Sequence, residues 1–244
     1  MRAASAIAGR ELRAYFLTPG GYVVAALFTL LNGLLFVRLV FNQGDVAALR
    51  PIFGFSMIAF MLVCPAITMR AISEEVRLGT IEVLMTCPVR STEIIVGKFA
   101  AALGFLVLLL VPTLIYVVAL EAYGRPDYGE LACGYLGVIL AGSAYLASGV
   151  LASTLTSSQV VAYLVTVFFW LILLLAASLL PQVELLPAAW RDAWSGALFA
   201  LDPNPRLRDF AIGLVDTADV VYFGSVTILL LIASVRSLDA RRWR

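Results

Sequence analysis

The chain contains no histidine. Catalysis by an imidazole, haem ligation through His and the H-E-x-x-H metalloprotease pattern are all excluded. Cysteine is nearly as scarce. Cys64, Cys87 and Cys133 are too few and too scattered for a disulfide framework or a zinc site, and no metal site is expected. Cys64 and Cys133 lie in apolar runs, where a thiol packs as a small hydrophobe. Charge is thin as well: 14% of the 244 residues are Asp, Glu, Lys or Arg, against about a quarter in an ordinary soluble domain. The formal net charge of +1 gives no electrostatic reason to expect nucleic acid as a partner. No G-x-x-x-x-G-K-[ST] occurs; Gly97-Lys98 runs into Phe99, so no P-loop is present. The opening MRAASAIAGRELRAYF lacks the unbroken apolar core of a signal peptide, because Arg10, Glu11 and Arg13 interrupt it. Internal repeats and low-complexity tracts are missing too.

What is there is hydrophobic residue, 62% of the chain. It is concentrated in blocks long enough to cross a bilayer core, which takes about 20 residues of helix. Helices satisfy their own backbone in lipid, so the expected fold is an all-α polytopic membrane protein with six transmembrane helices. The blocks fall at Gly21–Phe41, Pro51–Ala71, Phe99–Leu120, Leu131–Leu155, Val160–Leu180 and Val220–Val235. Lys/Arg asymmetry orients them. With the N-terminus inside, most of the 17 basic residues are cytoplasmic: Arg2, Arg10, Arg13, Arg70, Arg77, Arg90, Lys98, Arg236, Arg241, Arg242 and Arg244. Arg38, Arg50, Arg125, Arg191, Arg206 and Arg208 are then outside. Both termini and residues 73–98 are expected in the cytoplasm of a bacterial-type inner membrane.

Three segments lie between or beside the spans. In residues 1–18, Ala4, Ala8, Leu12, Tyr15 and Phe16 recur at helical spacing, with Arg10 and Arg13 off that stripe. This predicts an interfacial helix before the Pro19-Gly20-Gly21 turn, with a frayed basic tail as the alternative. Residues 181–217 are too polar to span, and Trp190, Trp194, Leu198, Phe199 and Leu201 suggest short re-entrant or interfacial outer helices. In the fourth span, Gly137 and Ala141 form one row of small residues, and Ala144, Ser148 and Ala152 another. Close helix packing within the chain is the expected use, a subunit contact the weaker one.

The chemistry-bearing candidates are few. Arg38, Arg70 and Glu121 sit near span ends, and no midplane carboxylate suggests an ion-coupled site. Pro112 should kink the third span. Ser143, Ser148 and Asp127 would be the material of an intramembrane enzyme, but without His or a paired Asp that reading fails. The informative stretch is SEEVRLGTIEVLMTCPV at 73–89, which places four charges, Glu74, Glu75, Arg77 and Glu82, between two apolar blocks. Ser73 is placed to cap a helix whose first turn holds Glu74 and Glu75. Gly79 ends that turn, Thr80 caps a second short helix with Ile81, Leu84 and Met85 on one side, and Pro88 closes the unit. Ser91 caps the helix climbing into the third span. The apolar side either receives a partner or packs on the chain's own helix ends.

Four blocks of the sequence resemble a known family. PAITMRAISEEVRLGTIEVLMTCPVRSTEIIVGKFAAA (65–102) resembles the permease subunits of type-2 ABC exporters. RELRAYFLTPGGYVV (10–24), LDPNPRLRDFAIGLVDTADVVYF (201–223) and the closing Arg241-Arg242-Trp243 resemble the gliding-motility-type and nitrous-oxide-reductase-maturation-type branch. The resemblance implies one permease domain over 1–244, with a connecting helix at 1–18, a coupling segment at 73–98 and an outer segment at 181–217. It places Glu74, Glu75, Arg77, Gly79, Thr80, Glu82, Leu84 and Pro88 on a coupling segment that docks on an ATP-binding subunit. Asp202, Pro203, Phe210, Gly213, Asp216, Asp219, Tyr222 and Phe223 fall on the outer motif. Arg206-Leu207 stand where the family often has His-Phe, so a fixed positive charge replaces a titrating one, with Asp202 or Asp209 as its expected partner.

The expected function is thus a non-enzymatic permease subunit without a cofactor of its own, ATP and Mg being held by the partner ATPase. A second permease, identical or related, would complete the pathway, with an extracytoplasmic accessory protein and membrane lipid as further partners. The alternatives are an ATP-independent carrier or channel and a membrane anchor in an envelope or motility complex.

Overall fold

The computed structural model describes residues 2–41, 49–81, 89–123, 126–179 and 201–242, and among them every regular element is helical. Helix α1 spans Arg2–Leu17 and α2 Pro19–Leu35, continued by a π-helical turn at Phe36–Phe41. Then come α3 (Arg50–Thr68), the single-turn α4 (Ser73–Arg77) and α5 (Ser91–Leu110). A 3₁₀ turn at Val111–Thr113 leads into α6 (Leu114–Tyr123). The chain continues through α7 (Tyr128–Leu155), α8 (Gln159–Leu179), α9 (Pro203–Ala211) and α10 (Thr217–Arg242). Six stretches of the described residues are long and apolar enough to cross a membrane: Pro19–Leu39, Arg50–Arg77, Ser91–Ala122, Tyr128–Leu155, Gln159–Leu179 and Thr217–Arg241. The protein is a multi-pass membrane protein, in the order the sequence predicts.

Two spans exceed their predicted limits most. The third begins at Ser91 rather than Phe99, and the sixth runs to Arg242 rather than Val235. In both, polar residues extend a helix beyond the apolar block, because neighbouring helices partner their side chains there. Pro112 interrupts the third span as expected. The ring removes a backbone donor, and the Thr113 hydroxyl, 2.6 Å from the Leu110 carbonyl and 2.9 Å from the Tyr135 hydroxyl, stabilises the break.

Helix α7 is the spine of the bundle. Its small residues serve the chain's own packing: Ala141, Ala144, Ser148 and Ala152 are all buried. A methyl group added at Gly137 would lie 2.5 Å from Phe210 Cβ, so α9 rests directly on that backbone. Trp170 on α8 donates to Ser148 Oγ at 2.8 Å and stacks on Tyr145 at 4.1 Å. The main core gathers Phe28, Phe53, Phe60, Phe105 and Leu146 around this spine. A smaller core, comprising Ile72, Ile81, Ile94, Ile95, Val150 and Leu238, closes one end of the bundle.

Residues 2–17 form a helix, not a frayed tail. It runs beside α5 in the same sense. A methyl at Gly97 would meet the Ala4 carbonyl at 2.8 Å, Leu12 approaches Gly104, and Tyr15 stacks on Phe105 at 4.8 Å. The Tyr15 hydroxyl donates to the Ile67 carbonyl at 3.0 Å. Burial pushes that phenol above its ordinary range, with the Glu11 carboxylate adding to the shift.

Candidate functional site

The charged stretch after α3 is built on an ion knot around the buried Lys98. Thr68 ends α3, three turn residues follow, and α4 carries Glu74 and Glu75 in its first turn. Lys98, on the second turn of α5, is only 3% exposed. An isolated ammonium could not remain charged at such a site. Its Nζ lies 2.9 Å from Glu11 Oε1 on α1 and 2.9 Å from Glu75 Oε1 on α4. Arg10 closes the group, 3.0 Å from Glu11 and 3.7 Å from Glu75. Two cations thus balance two carboxylates across three helices. Burial alone would raise the Glu11 carboxyl, but Lys98 and then Arg10 outweigh it and hold the group below the usual range.

Beyond the knot the chain turns outward. Gly79 has φ +70°, a left-handed conformation in which a side chain would be strained, and it ends the α4 turn as predicted. Arg77, Leu78, Gly79 and Thr80 are exposed, Leu78 by 63%. Ile81, in contrast, turns back into the smaller core with Ile72, Ile94 and Leu238. For Ile81 the structure therefore shows packing on the chain's own helix ends. Glu82, Leu84, Met85 and Pro88, the rest of the predicted coupling segment, lie outside the described residues.

Two predicted caps are replaced by other bonds. Ser73 does not cap α4: Ile72 holds that position, and the fully buried Ser73 hydroxyl donates back to the Met69 carbonyl. A buried hydroxyl must be satisfied, and the turn offers that acceptor first. Ser91 does not cap α5 either. Arg90 holds the N-cap and the Glu93 carboxylate accepts from its N–H at 3.3 Å, freeing Ser91 Oγ to donate to Asp239 on α10 at 2.5 Å. Nearby, Arg241 Nε donates to the Thr154 carbonyl at 2.9 Å. Thr80 Oγ1 points back to the Glu75 carbonyl at 3.4 Å.

At the opposite end the outer motif folds as a unit. Asp202 caps α9, accepting from Asn204 N–H at 3.0 Å, and Pro203 takes the first helical position. Phe210 and Phe223 are fully buried. Gly213, at φ +84°, terminates α9, and Asp216 accepts from Ala218 N–H at 2.9 Å where α10 begins. Arg206 pairs with neither Asp202 nor Asp209. Asp202 is engaged as a cap, and the guanidinium instead meets Asp219 at 2.8 Å while lying 4.1 Å over the Tyr222 ring. The Tyr222 hydroxyl donates to the Leu201 carbonyl at 2.5 Å. Trp190, Trp194, Leu198 and Phe199 lie outside the described residues.

Sequence reasoning missed Lys98 and Glu11 as partners, and Leu78 as the exposed apolar residue. The signal for Lys98 was present: a lone ammonium between Gly97 and Phe99 in an apolar helix requires a counter-ion. Among the described residues no cluster of three metal-ligating side chains occurs.

The arrangement offers an exposed tip, Arg77–Thr80, seated on an ion knot. Comparison with known proteins fits this picture. A family model described as ABC-2 family transporter protein matches residues 16–196. The chain is also similar to YbhR, described as a probable multidrug ABC transporter permease, of Escherichia coli K12 and O157:H7, at 26% identity over 170 residues. That match covers 69% of this chain and 44% of the relative, so the chain spans less than half the length of the curated relatives it matches.

Proposed function

The chain belongs to the ABC-2 transporter family, and from that premise we propose that it is the membrane-spanning permease subunit of an ATP-binding cassette transporter. Residues 1–244 form one permease domain, with 1–18 as connecting helix, 73–98 as coupling segment and 181–217 as outer segment. ATP and Mg are bound and turned over by a separate ATP-binding subunit, and this chain contributes no catalytic group. A second permease, identical or related, completes the pathway. The Lys98 end faces the cytoplasm, together with both termini, in keeping with the Lys/Arg distribution. The outer motif favours the gliding-motility-type and nitrous-oxide-reductase-maturation-type branch, and an extracytoplasmic accessory protein is a further partner.

The observation that carries the reading is the exposed Arg77–Thr80 tip standing on the Glu11–Lys98–Glu75 knot. A partner that pushes on this tip moves α4. The knot passes the push to α1 and α5 as a rigid-body displacement, the common form of coupling between a nucleotide-driven subunit and a membrane bundle. The test reconstitutes the chain with its ATP-binding subunit and compares wild type with a Glu82→Lys, Leu84→Asp double variant. Loss of complex formation and of transport-linked ATP turnover is expected. Identical turnover by the two would overturn the docking assignment.

A further inference from the structure

At the end of the bundle opposite Lys98, α9 diverges from the start of α3 and leaves an open wedge of about 510 Å³. Among the described residues its lining carries two guanidiniums, Arg50 and Arg208, and no carboxylate. Arg50 is already held by Glu130 in a two-pronged pair at 2.8 and 2.7 Å. Arg208 is exposed and has no ion-pair partner among the described residues. Deeper in, the walls become apolar at Met57 and Leu207. Gly54 faces open space there, since a methyl group at its Cα would meet nothing within 4 Å.

Depth distinguishes the two halves. Arg50 is the first residue of a membrane span, so it stands at headgroup level. Met57 lies seven residues further along the helix, roughly 10 Å deeper at 1.5 Å per residue. A ligand filling the wedge must therefore be anionic at the mouth and hydrocarbon below it. We propose that the wedge binds an anionic phospholipid of the surrounding bilayer. Its phosphate rests on Arg208 beside the Arg50–Glu130 pair, and one acyl chain runs along Met57 and Leu207. Cationic side chains at headgroup depth attract acidic lipid in this way. The site does not depend on the ATPase reading, because it follows from the membrane fold and the charge of the wedge.

The test places the full chain in nanodiscs of phosphatidylcholine, with or without phosphatidylglycerol, and measures Tm together with retained lipid by native mass spectrometry. Phosphatidylglycerol should raise the wild-type Tm by roughly 2–4 °C and leave one lipid adduct. Arg208→Glu and Arg208→Gln should keep the phosphatidylcholine Tm and lose both the gain and the adduct. Gly54→Leu, whose Cβ enters open space and whose side chain projects into the wedge, should lose them as well. No gain in wild type, an undiminished gain in all three variants, or an equal gain from inorganic phosphate over phosphatidylcholine would each overturn the assignment.

Discussion

Lys98 Nζ lies 2.9 Å from Glu75 Oε1, across the gap between the third span and the short helix that precedes the exposed tip. Replacing Lys98 by Met leaves Glu11 and Glu75 facing each other half-buried. Removing one partner from such a group costs about 3–5 kcal/mol. Unfolding of the reconstituted chain should show this loss. In a cycle with Glu75→Gln the two changes should be less than additive, with a coupling of about 0.5–3 kcal/mol.

The tip itself should behave in the opposite way. Arg77 and Leu78 are exposed and bear no packing load. A Leu78→Asp, Arg77→Glu variant should keep its stability within about 0.5 kcal/mol. Co-purification with the ATP-binding subunit should nonetheless fail.

Helix α9 depends on the absence of a side chain at position 137. Gly137→Val sets a branched side chain against Phe210 and Leu207, where a single methyl would already be 2.5 Å from Phe210 Cβ. Overpacking of this kind costs about 1–3 kcal/mol. A lowered Tm and increased proteolysis near Asp202–Gly213 would reveal it.

Glu11 makes acid stability predictable. Its carboxyl is held below its ordinary value in the fold, by Lys98 and Arg10 against the opposing effect of burial. Its contribution is therefore complete above the unfolded pKa of about 4.3 and is lost as pH falls through the folded value. Stability should be flat between about pH 6 and 8 with respect to this group and decline below about pH 4. Glu11→Gln should flatten the acid limb and be the less stable protein at neutral pH, as measured by Tm across the pH series.

The six spans were legible because lipid imposes a single requirement, an uninterrupted apolar run of sufficient length. The rows at Gly137 and Ala144 were legible for the same reason: close approach demands small residues. The terminal α1 helix could be read from the recurrence of Leu12, Tyr15 and Phe16. Partner choice was not legible. Arg206 had four aspartates within reach along the chain, and the capping duties of Asp202 and Asp216 and the turn at Gly213 leave it to Asp219. Ser73 and Ser91 carry the sequence mark of helix caps, yet burial beside Met69 and the arrival of Asp239 from the far end of the chain redirect both hydroxyls. Lys98 was counted as a marker of sidedness, and its two carboxylates, one 87 residues away, become neighbours only in the folded bundle.

The interruption at Val111–Thr113 divides the third span mechanically. The segment below it is bound to α1 and α4 by salt bridges and by a buried isoleucine cluster, whereas α6 above it exposes Leu114, Ile115 and Val118. With one backbone hydrogen bond missing at Pro112, bending stiffness is lowest at that point. A tilt imposed at Lys98 would be taken up there as a change of angle, a soft elbow between the two halves of a single membrane crossing.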